Sequence, residues 1–331
     1  MYNSWFQAGA VPDAANVSLV TPVYKREDAA QPSNYRPIAV GEPVTRLYAA
    51  LLNARLVGFT ERAGLRAPSQ AGFRPRLSTQ HQLFCLQHLV DRATHLRQPL
   101  FCCFLDLKGA YDRIRRALLW QALQRLGVHG RMLGALQSLY SNAEYAINVG
   151  GRRGVGVRST RGVKQGCPLS PTVFGLLLEG LHWALLAGAP GAGPQLACGS
   201  VPDLGYADDF CLLATSLAHL QRLLDVAHGF LTSVGMELSV CKTCLMAFGV
   251  AAAAAAEGAA WSCGGMRLEQ YKYLGVTFPA ATGIAVAFPA LRGRLYASWE
   301  QLRRHFGTLH DGLRNEFLHL PLGLSRVLRV N

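Results

Sequence analysis

Acidic residues are scarce in this chain. Its 331 residues include 20 Asp and Glu against 33 Lys and Arg, which gives a net charge of +13 although only 16% of the residues are charged. An excess of this size favours a polyanionic partner, but charge alone predicts a basic enzyme without nucleic acid equally well. Because half of the residues are hydrophobic, the chain can form two or three packed subdomains, and a disordered tail is excluded.

Signatures of several other protein classes are missing as well. The sequence has no GxxxxGK[ST] phosphate loop, no HExxH zinc motif, no GxSxG nucleophile elbow and no internal repeat, so nothing supports those enzyme classes. Residues 1–7 lack the basic and apolar regions of a signal peptide, and no apolar run is long and uninterrupted enough to span a bilayer. We therefore expect a soluble, intracellular protein.

The cysteines do not form a disulfide or zinc pattern. Most of the nine lie in apolar surroundings, as Cys102, Cys103 and Cys211 do, which suits reduced thiols in an intracellular protein. Cys241 and Cys244 have C-x2-C spacing, but no second pair at a matching spacing accompanies them, which disfavours a zinc site.

Hydrophobic periodicity predicts strands and helices in alternation. Strands are predicted over residues 17–24, 100–107 and 271–278. Residues 145–149 and 155–158 flank a turn rich in Gly and Arg and predict a basic hairpin, and residues 204–214 predict two short strands around Ala207–Asp209. Helices are predicted over residues 44–59, 78–96, 116–126, 172–186, 216–231 and 290–302. Ser170 and Pro171 are typical of a helix start with Ser170 as its N-cap, and the alanine run 251–256 resembles a spacer. This order predicts an α+β fold with helices on one face of a sheet and acids at strand ends.

Three of those acids indicate a metal site. Asp106 ends the apolar run LFCCFLDL, and Asp208 and Asp209 lie side by side in YADDF. An acid that follows a buried strand must be solvated or paired with a cation, because an uncompensated buried charge is costly. Phosphoryl transfer by two divalent cations needs carboxylates of this kind. Taken alone, however, each Asp is better explained as an ordinary turn residue, because Asp is common in turns.

Seven ordered segments decide between these interpretations. They are SLVTPVYK at 18–25 with NYRPI at 34–38, QAGFRPRLST at 70–79, FLDLKGAYD at 104–112, QGCPLSP at 165–171, YADDF at 206–210, Lys242-Thr243, and YKYLGV at 271–276. In this order they resemble the reverse transcriptases of non-LTR (LINE-like) retrotransposons and, more distantly, those of group II introns and retrons. The resemblance implies a right-hand polymerase, with residues 1–99 and part of 128–165 as fingers, 100–280 as palm, and 281–331 as the start of an apparently truncated thumb.

The resemblance also assigns a metal site and a catalytic lysine. Asp106 and Asp208 would bind two Mg²⁺ ions, or Mn²⁺ in their place, and Asp209 would be the third, more peripheral carboxylate. Lys242 would be a general acid for pyrophosphate, although an ordinary surface lysine is an equal alternative. Each of these acids would thus act as a catalytic group and a metal ligand.

Other residues would bind the nucleotide and the primer. Lys25 and Arg36 would neutralise the triphosphate, and Tyr111 would exclude ribonucleotides by contact with a 2′-hydroxyl. Their alternatives are solvated loop charges and a core aromatic. The remaining assignments are Gln165 and Gly166 beside the nascent base pair, and Tyr273, Leu274 and Gly275 in the primer grip.

The expected function is RNA-directed DNA polymerisation. The partners would be an RNA template, a DNA primer and dNTPs, and the resemblance implies a nuclear location without a clear targeting signal. Because the sequence has no zinc knuckle and an apparently short thumb, the alternative is an inactive, truncated remnant that still binds nucleic acid. A metal-dependent nuclease is disfavoured, since it would need neither a triphosphate clamp nor Tyr111.

Overall fold

The computed structural model describes residues 1–25, 28–197, 199–239, 242–248, 270–273 and 276–279. Its helices are α1 (Tyr2–Ala8), α2 (Pro43–Arg62), α3 (Thr79–His95), α4 (Ala110–Arg113), α5 (Arg116–Arg125), α6 (Gly130–Ser141), α7 (Ser170–Gly188) and α8 (Leu217–Ser233). Its strands are β1 (Val17–Tyr24), β2 (Tyr35–Gly41), β3 (Leu100–Leu105), β4 (Glu144–Val149), β5 (Arg152–Arg158), β6 (Gln195–Leu196), β7 (Gly199–Ser200), β8 (Asp203–Tyr206), β9 (Asp209–Ala214), β10 (Cys244–Phe248), β11 (Gln270–Tyr273) and β12 (Val276–Pro279). Short 3-10 helices cover Asp13–Ala15 and Pro32–Asn34. The predicted α+β class is confirmed.

The first sheet is mixed and has the strand order β2-β1-β4-β5. Strand β1 pairs antiparallel with β2 and parallel with β4, and β4 pairs antiparallel with β5. The predicted basic hairpin is therefore confirmed as β4–β5. Its turn contains Gly150 and Gly151, both with positive φ, which glycine adopts without a steric penalty. The sheet unites segments that are more than 100 residues apart.

The second sheet is antiparallel and has the order β10-β3-β9-β8. All six residues of β3 are buried, as expected of an uninterrupted apolar strand with both faces covered. On one face, Phe101, Cys103 and Leu105 join the main hydrophobic core with α7 and α8. This sheet carries the acids that the sequence singled out.

Helix α3 covers the opposite face of this sheet, where it contacts β8 and β10. Its buried side chains Leu86 and Val90 lie outside the main core, as do Cys102 and Phe104 of β3. The expectation of helices on one face alone is therefore wrong. Period-2 patterning could not show this, because every position of the central strand is apolar.

Helix α7 begins one residue away from the predicted cap. Leu169, not Ser170, is the N-cap, with Pro171 in the first turn. Ser170 is fully buried, and its hydroxyl is 2.9 Å from the hydroxyl of Tyr140. The side chain is thus bound to another helix, which explains why it does not cap its own.

The same helix meets the length and composition of a membrane span, contrary to the prediction that no such run exists. It is 19 residues long, with a mean hydropathy of 1.2 in its most apolar window. However, 61% of that window is buried inside the protein. Core helices pass the same test, so length and composition are weak support for a span.

Three helices were not predicted: α1, the single-turn α4, and α6. Gly130 and Gly134 are poor helix formers and masked the pattern of α6, whose residues Leu133, Leu136 and Tyr140 are buried in the core. Tertiary burial outweighs intrinsic propensity here.

Beyond residue 248, the structure describes only residues 270–273 and 276–279. The predicted strand 271–278 is a hairpin of β11 and β12, with Gln270 paired to Pro279. The alanine run 251–256, the predicted helix 290–302 and the predicted thumb start 281–331 lie outside the described residues.

Candidate active site

The three acids meet at one end of the second sheet. Asp106 directly follows β3, and the antiparallel register pairs Leu105 with Phe210. Continued by one residue, this register sets Asp106 opposite Asp209. Opposing residues of an antiparallel pair share one face of the sheet. The strand pairing therefore joins two acids that are 103 positions apart in the sequence.

Asp208 lies in the turn between β8 and β9. Tyr206 pairs with Asp209, which leaves Ala207 and Asp208 as a two-residue loop. Ala207 has φ of 60°, as the first position of a type II′ hairpin turn requires. Glycine is the usual residue there, and a non-glycine residue in such a conformation costs about 1–3 kcal/mol unless its surroundings hold it.

A segment without a predicted role holds this turn. Gln70, at the start of the block QAGFRPRLST, is buried, and its side-chain amide contacts both the N–H and the C=O of Ala207. The block was recognised from the sequence, but this contact was not, because a glutamine carries no signal of what its amide binds.

The electrostatics of the acids show mutual repulsion. Burial, followed by the charges of Asp208 and Asp106, raises the pKa of Asp209 to about 6. Burial and the charge of Asp106 also raise the pKa of Asp208, and the nearby positive charge of Arg36 opposes this rise. Within the described part of the chain, none of the three acids has an ion-pair partner within 4 Å. A cation bound here would relieve this repulsion.

The donor chemistry fits hard divalent cations. Carboxylate oxygens are the ligands that Mg²⁺ prefers. Three carboxylates lie at this sheet end, and none of them forms an ion pair with another described residue. Across the described segments, no three His, Cys, Asp or Glu side chains converge closely enough to hold one ion. The structure thus brings suitable donors together without forming a closed coordination shell.

Tyr111 lies beside these acids, in α4. Its ring stacks on Phe174 at a centroid distance of 4.6 Å and an interplanar angle of 18°. Burial and the negative charge of Asp208 raise the pKa of Tyr111 above its usual value. The ring is therefore fixed near the turn between β8 and β9 that carries Asp208.

A loop between β5 and α7 contacts the first sheet at this point. The main-chain oxygen of Gln165 accepts a 2.6 Å hydrogen bond from the N–H of Ala39 in β2. Gly166 has φ of 111°, and a Cβ added there would lie 2.8 Å from the oxygen of Ala39. Glycine is needed at this position both for its φ and for the close approach of β2.

The same loop contacts an acid that the sequence analysis left unassigned. The Gln165 amide donates to Asp112 Oδ1 at 3.2 Å. Burial raises the pKa of Asp112, while this hydrogen bond and the positive charge of Lys25 oppose the rise. The positive charge of Lys25, which directly follows β1, thus acts on Asp112, and that of Arg36 in β2 acts on Asp208.

Lys242, the predicted general acid, is exposed, and main-chain hydrogen bonds of a neighbouring residue link it to Asp106. Its N–H donates to Ser239, whose own N–H donates to the main-chain oxygen of Asp106 at 2.8 Å. The hydroxyl of Thr243 accepts a 3.4 Å hydrogen bond from the N–H of Asp106. These bonds place the segment beside the end of β3, but they do not assign a role to the lysine side chain.

The predicted primer grip is only partly described. Tyr273 ends β11. Leu274 and Gly275 lie outside the described residues.

Comparison with known proteins identifies the family. The profile of the family described as "Reverse transcriptase (RNA-dependent DNA polymerase)" matches residues 23–278. The "Retrovirus-related Pol polyprotein from type-1 retrotransposable element R2" of Popillia japonica is 30% identical over 236 residues, which cover 71% of this chain and 32% of that protein. The "Retrovirus-related Pol polyprotein from type-2 retrotransposable element R2DM" of Drosophila melanogaster is 27% identical over 294 residues, which cover 85% of this chain and 27% of that protein. The chain thus spans about a third or less of these relatives.

Solved structures support the fold. Apo telomerase from Candida tropicalis, truncated from its C-terminal domain, aligns with a TM-score of 0.56 and 15% identity over 83% of this chain and 55% of its own. Telomerase from Candida albicans, in complex with a fragment of telomeric RNA, gives a TM-score of 0.53 and 12% identity over 84% of this chain and 48% of its own. At these identities the likeness concerns the fold, and it confirms the predicted right-hand polymerase class. Together with the profile and the R2 relatives, it shows that the chain belongs to the reverse transcriptase family, in the group of the non-LTR retrotransposon enzymes.

Proposed function

We propose that this chain is the polymerase core of a retrotransposon and copies RNA into DNA. The observation that carries the proposal is the meeting of Asp106, Asp208 and Asp209 at one sheet end without a cationic partner among the described residues. Three uncompensated carboxylates on a hairpin and a neighbouring strand suit metal-assisted phosphoryl transfer.

Asp106 and Asp208 would hold two Mg²⁺ ions, with Asp209 as the nearby third carboxylate. When bound, such ions activate the attacking hydroxyl and neutralise the charge that develops on the phosphates. The residues of the chain itself position the substrates. Family membership supports a requirement for divalent ions, and the donor set described above is the local support for this site.

The nucleotide would lie between the two sheets. The charge of Arg36 acts on Asp208, so Arg36 would bind phosphate oxygens that arrive with the metal, whereas the charge of Lys25 acts on Asp112 and Lys25 would take a more peripheral position. Tyr111 would contact the sugar, and Gln165 and Gly166 would border the nascent base pair. Lys242 would protonate the departing pyrophosphate, and Tyr273 to Gly275 would hold the primer.

We assign residues 1–99 and part of 128–165 to the fingers, 100–280 to the palm and 281–331 to the start of the thumb. The first sheet supports the first assignment, because it joins β1 and β2 to β4 and β5. The substrates would be an RNA template, a DNA primer and dNTPs. The resemblance to chromosomal retrotransposons favours the nucleus as the compartment.

Primer extension tests this function. The purified chain is expected to extend a DNA primer on an RNA template with Mg²⁺ or Mn²⁺. The Asp208→Asn variant keeps the shape of the side chain and removes its charge, and it should lower the rate by at least roughly 100-fold. Asp225→Asn is the matched control, because Asp225 is an exposed acid on α8.

If the wild-type chain and Asp208→Asn bind primer–template equally and both fail to extend it, the polymerase proposal is wrong. The alternative of a nucleic-acid-binding remnant then holds.

A further inference from the structure

One buried side chain satisfies the main chain of the catalytic turn. Gln70 is 2% exposed. Its Oε1 accepts from the N–H of Ala207 at 2.9 Å and from the N–H of Gly72 at 2.7 Å, and its Nε2 donates to the oxygen of Ala207 at 3.2 Å. Both polar main-chain groups of Ala207 are therefore bound by a single amide.

The turn needs such a partner. Ala207 is buried, and as a loop residue it has no strand partner for its N–H and C=O. Buried main-chain groups that remain unpaired are costly, and its left-handed φ of 60° persists only where neighbouring groups hold it. The Gln70 amide answers both requirements.

The segment around Gln70 also leaves the turn no room to move. The N–H of Ala71 donates to Gly205 and the N–H of Gly205 donates to Ser69, each at 2.9 Å. A Cβ added at Gly72 would lie 2.1 Å from the nitrogen of Ala207. The two backbones are therefore in direct contact, and this contact fixes the position of the turn relative to the sheet.

We propose that Gln70 is a positioning residue for the metal-binding turn. By fixing both peptide groups of Ala207, its amide sets the direction in which the next residue, Asp208, presents its carboxylate toward Asp106. This inference rests on the polymerase function proposed above, since it concerns the alignment of the same acids. Gln70 itself touches no substrate in this role.

Gln82 provides a matched control. It is also a buried glutamine, and its Nε2 donates to the oxygens of Ser69 and Gly205 at 2.6 and 3.0 Å. It thus joins the same segment to the same strand, but no hydrogen bond connects it to Ala207. Replacing either glutamine by methionine removes a buried amide of equal size, and only the Gln70 variant releases the turn.

The test compares Gln70→Met and Gln82→Met by steady-state primer extension, well below the melting temperature of each variant. Gln70→Met should lower kcat roughly 10- to 100-fold, as expected for a small misplacement of catalytic groups. Its KM for dNTP should stay within about twofold, and its half-saturating Mg²⁺ concentration should rise. Gln82→Met should lower the melting temperature to a similar extent, but its kcat and its half-saturating Mg²⁺ concentration should equal those of the wild type. If Gln70→Met does not fold, Gln70→Asn replaces it. The asparagine side chain is about 1.5 Å shorter, so its amide cannot reach both the N–H and the C=O of Ala207.

Hydrogen exchange of the peptide covering residues 206–209 gives a second readout that needs no activity. Faster exchange there in the Gln70 variant, but not in Gln82→Met, supports the inference. Equal exchange in both variants, or equal kcat values, overturns it and leaves the polymerase function intact. If the wild-type chain fails to extend any primer, the proposed function fails, and the exchange result alone decides the role of Gln70.

Discussion

Tyr111 is held from two directions. Phe174 of α7 stacks on its ring, and the main-chain oxygen of Tyr111 accepts a 2.8 Å hydrogen bond from the N–H of Val163. A ring anchored in this way cannot swing aside when a larger sugar enters. Rigid exclusion is the physical basis of the predicted selectivity against ribonucleotides.

Replacing Tyr111 by alanine should therefore admit ribonucleotides. Removing a steric clash worth about 1–3 kcal/mol corresponds to a loss of discrimination of roughly 5- to 150-fold. The measurement is the ratio of kcat/KM for dNTP and rNTP in primer extension. Tyr111→Phe keeps the ring and should retain the wild-type ratio. An unchanged ratio in the alanine variant contradicts the assignment.

At the scale of elements, the loop between β5 and α7 is fixed by buried cations. Arg116 donates to the main-chain oxygens of Gly162, Tyr140, Ser159 and Arg161 at 2.6–3.2 Å. A guanidinium has five donors in a fixed plane, so one side chain can hold a loop that has no regular structure. The loop leads directly to Gln165 and Gly166.

Lys164 is the second buried cation of this loop. Its Nζ donates to Asn16 Oδ1 at 2.8 Å and lies 5.9 Å from the ring centres of Tyr140 and Tyr145. Burial, together with the positive charge of Arg116, lowers the pKa of Lys164 to about 8. The fold thus opposes the charged form of this lysine.

This shift predicts a pH-dependent stability. Because the folded pKa is lower than the unfolded value of 10.5, the unfolded chain binds more protons between about pH 8 and 10.5. The wild-type free energy of unfolding should therefore rise over this window, relative to that of Lys164→Met, by about 3 kcal/mol at most. Urea unfolding at pH 7.5, 9 and 10.5 measures the difference.

Lys242→Met, at an exposed lysine, is the control in that experiment for the loss of a lysine as such. If the difference in the free energy of unfolding between the wild type and Lys164→Met is the same at all three pH values, the folded protein does not disfavour the charged form of Lys164, and the prediction is wrong.

At the scale of the whole molecule, the net charge of +13 and the exposed basic hairpin predict a salt-dependent affinity for nucleic acid. Arg152 and Arg153 begin β5 and are exposed, and Arg153 lies 3.8 Å from Glu144 in a weak ion pair. Cations at the tip of a hairpin can reach phosphates without moving the sheet. Counterion release then makes binding weaken as salt rises.

The double variant Arg152→Gln and Arg153→Gln should weaken primer–template binding and reduce the slope of log Kd against log salt concentration. Two lost phosphate contacts correspond to a change of about 1.4 in that slope for a single strand. Fluorescence anisotropy from 50 to 300 mM KCl measures it. A parallel line in the variant would remove this hairpin from the binding surface. Arg222→Gln on α8 serves as a control for the loss of an exposed arginine elsewhere.

Helices and strands were predicted best where the apolar periodicity of the sequence is clear. Strand β1 and helix α5 were predicted to within one residue because their apolar periodicity is uninterrupted. The cap of α7 was misassigned because the hydroxyl of Ser170 binds Tyr140 across the core. Helix α6 was missed because its glycines hide a face that only the core makes favourable.

The sequence by itself determined the family, the fold class and the residue types of the proposed metal site. These follow from ordered motifs and from carboxylates placed after apolar strands, which are properties of neighbouring residues. Only the tertiary structure decided that α3 covers the second face of the sheet, that the charge of Arg36 acts on Asp208, and that Gln70 binds Ala207 in the turn between β8 and β9. These are contacts between distant segments, and they depend on register and packing, which no single stretch of the chain encodes.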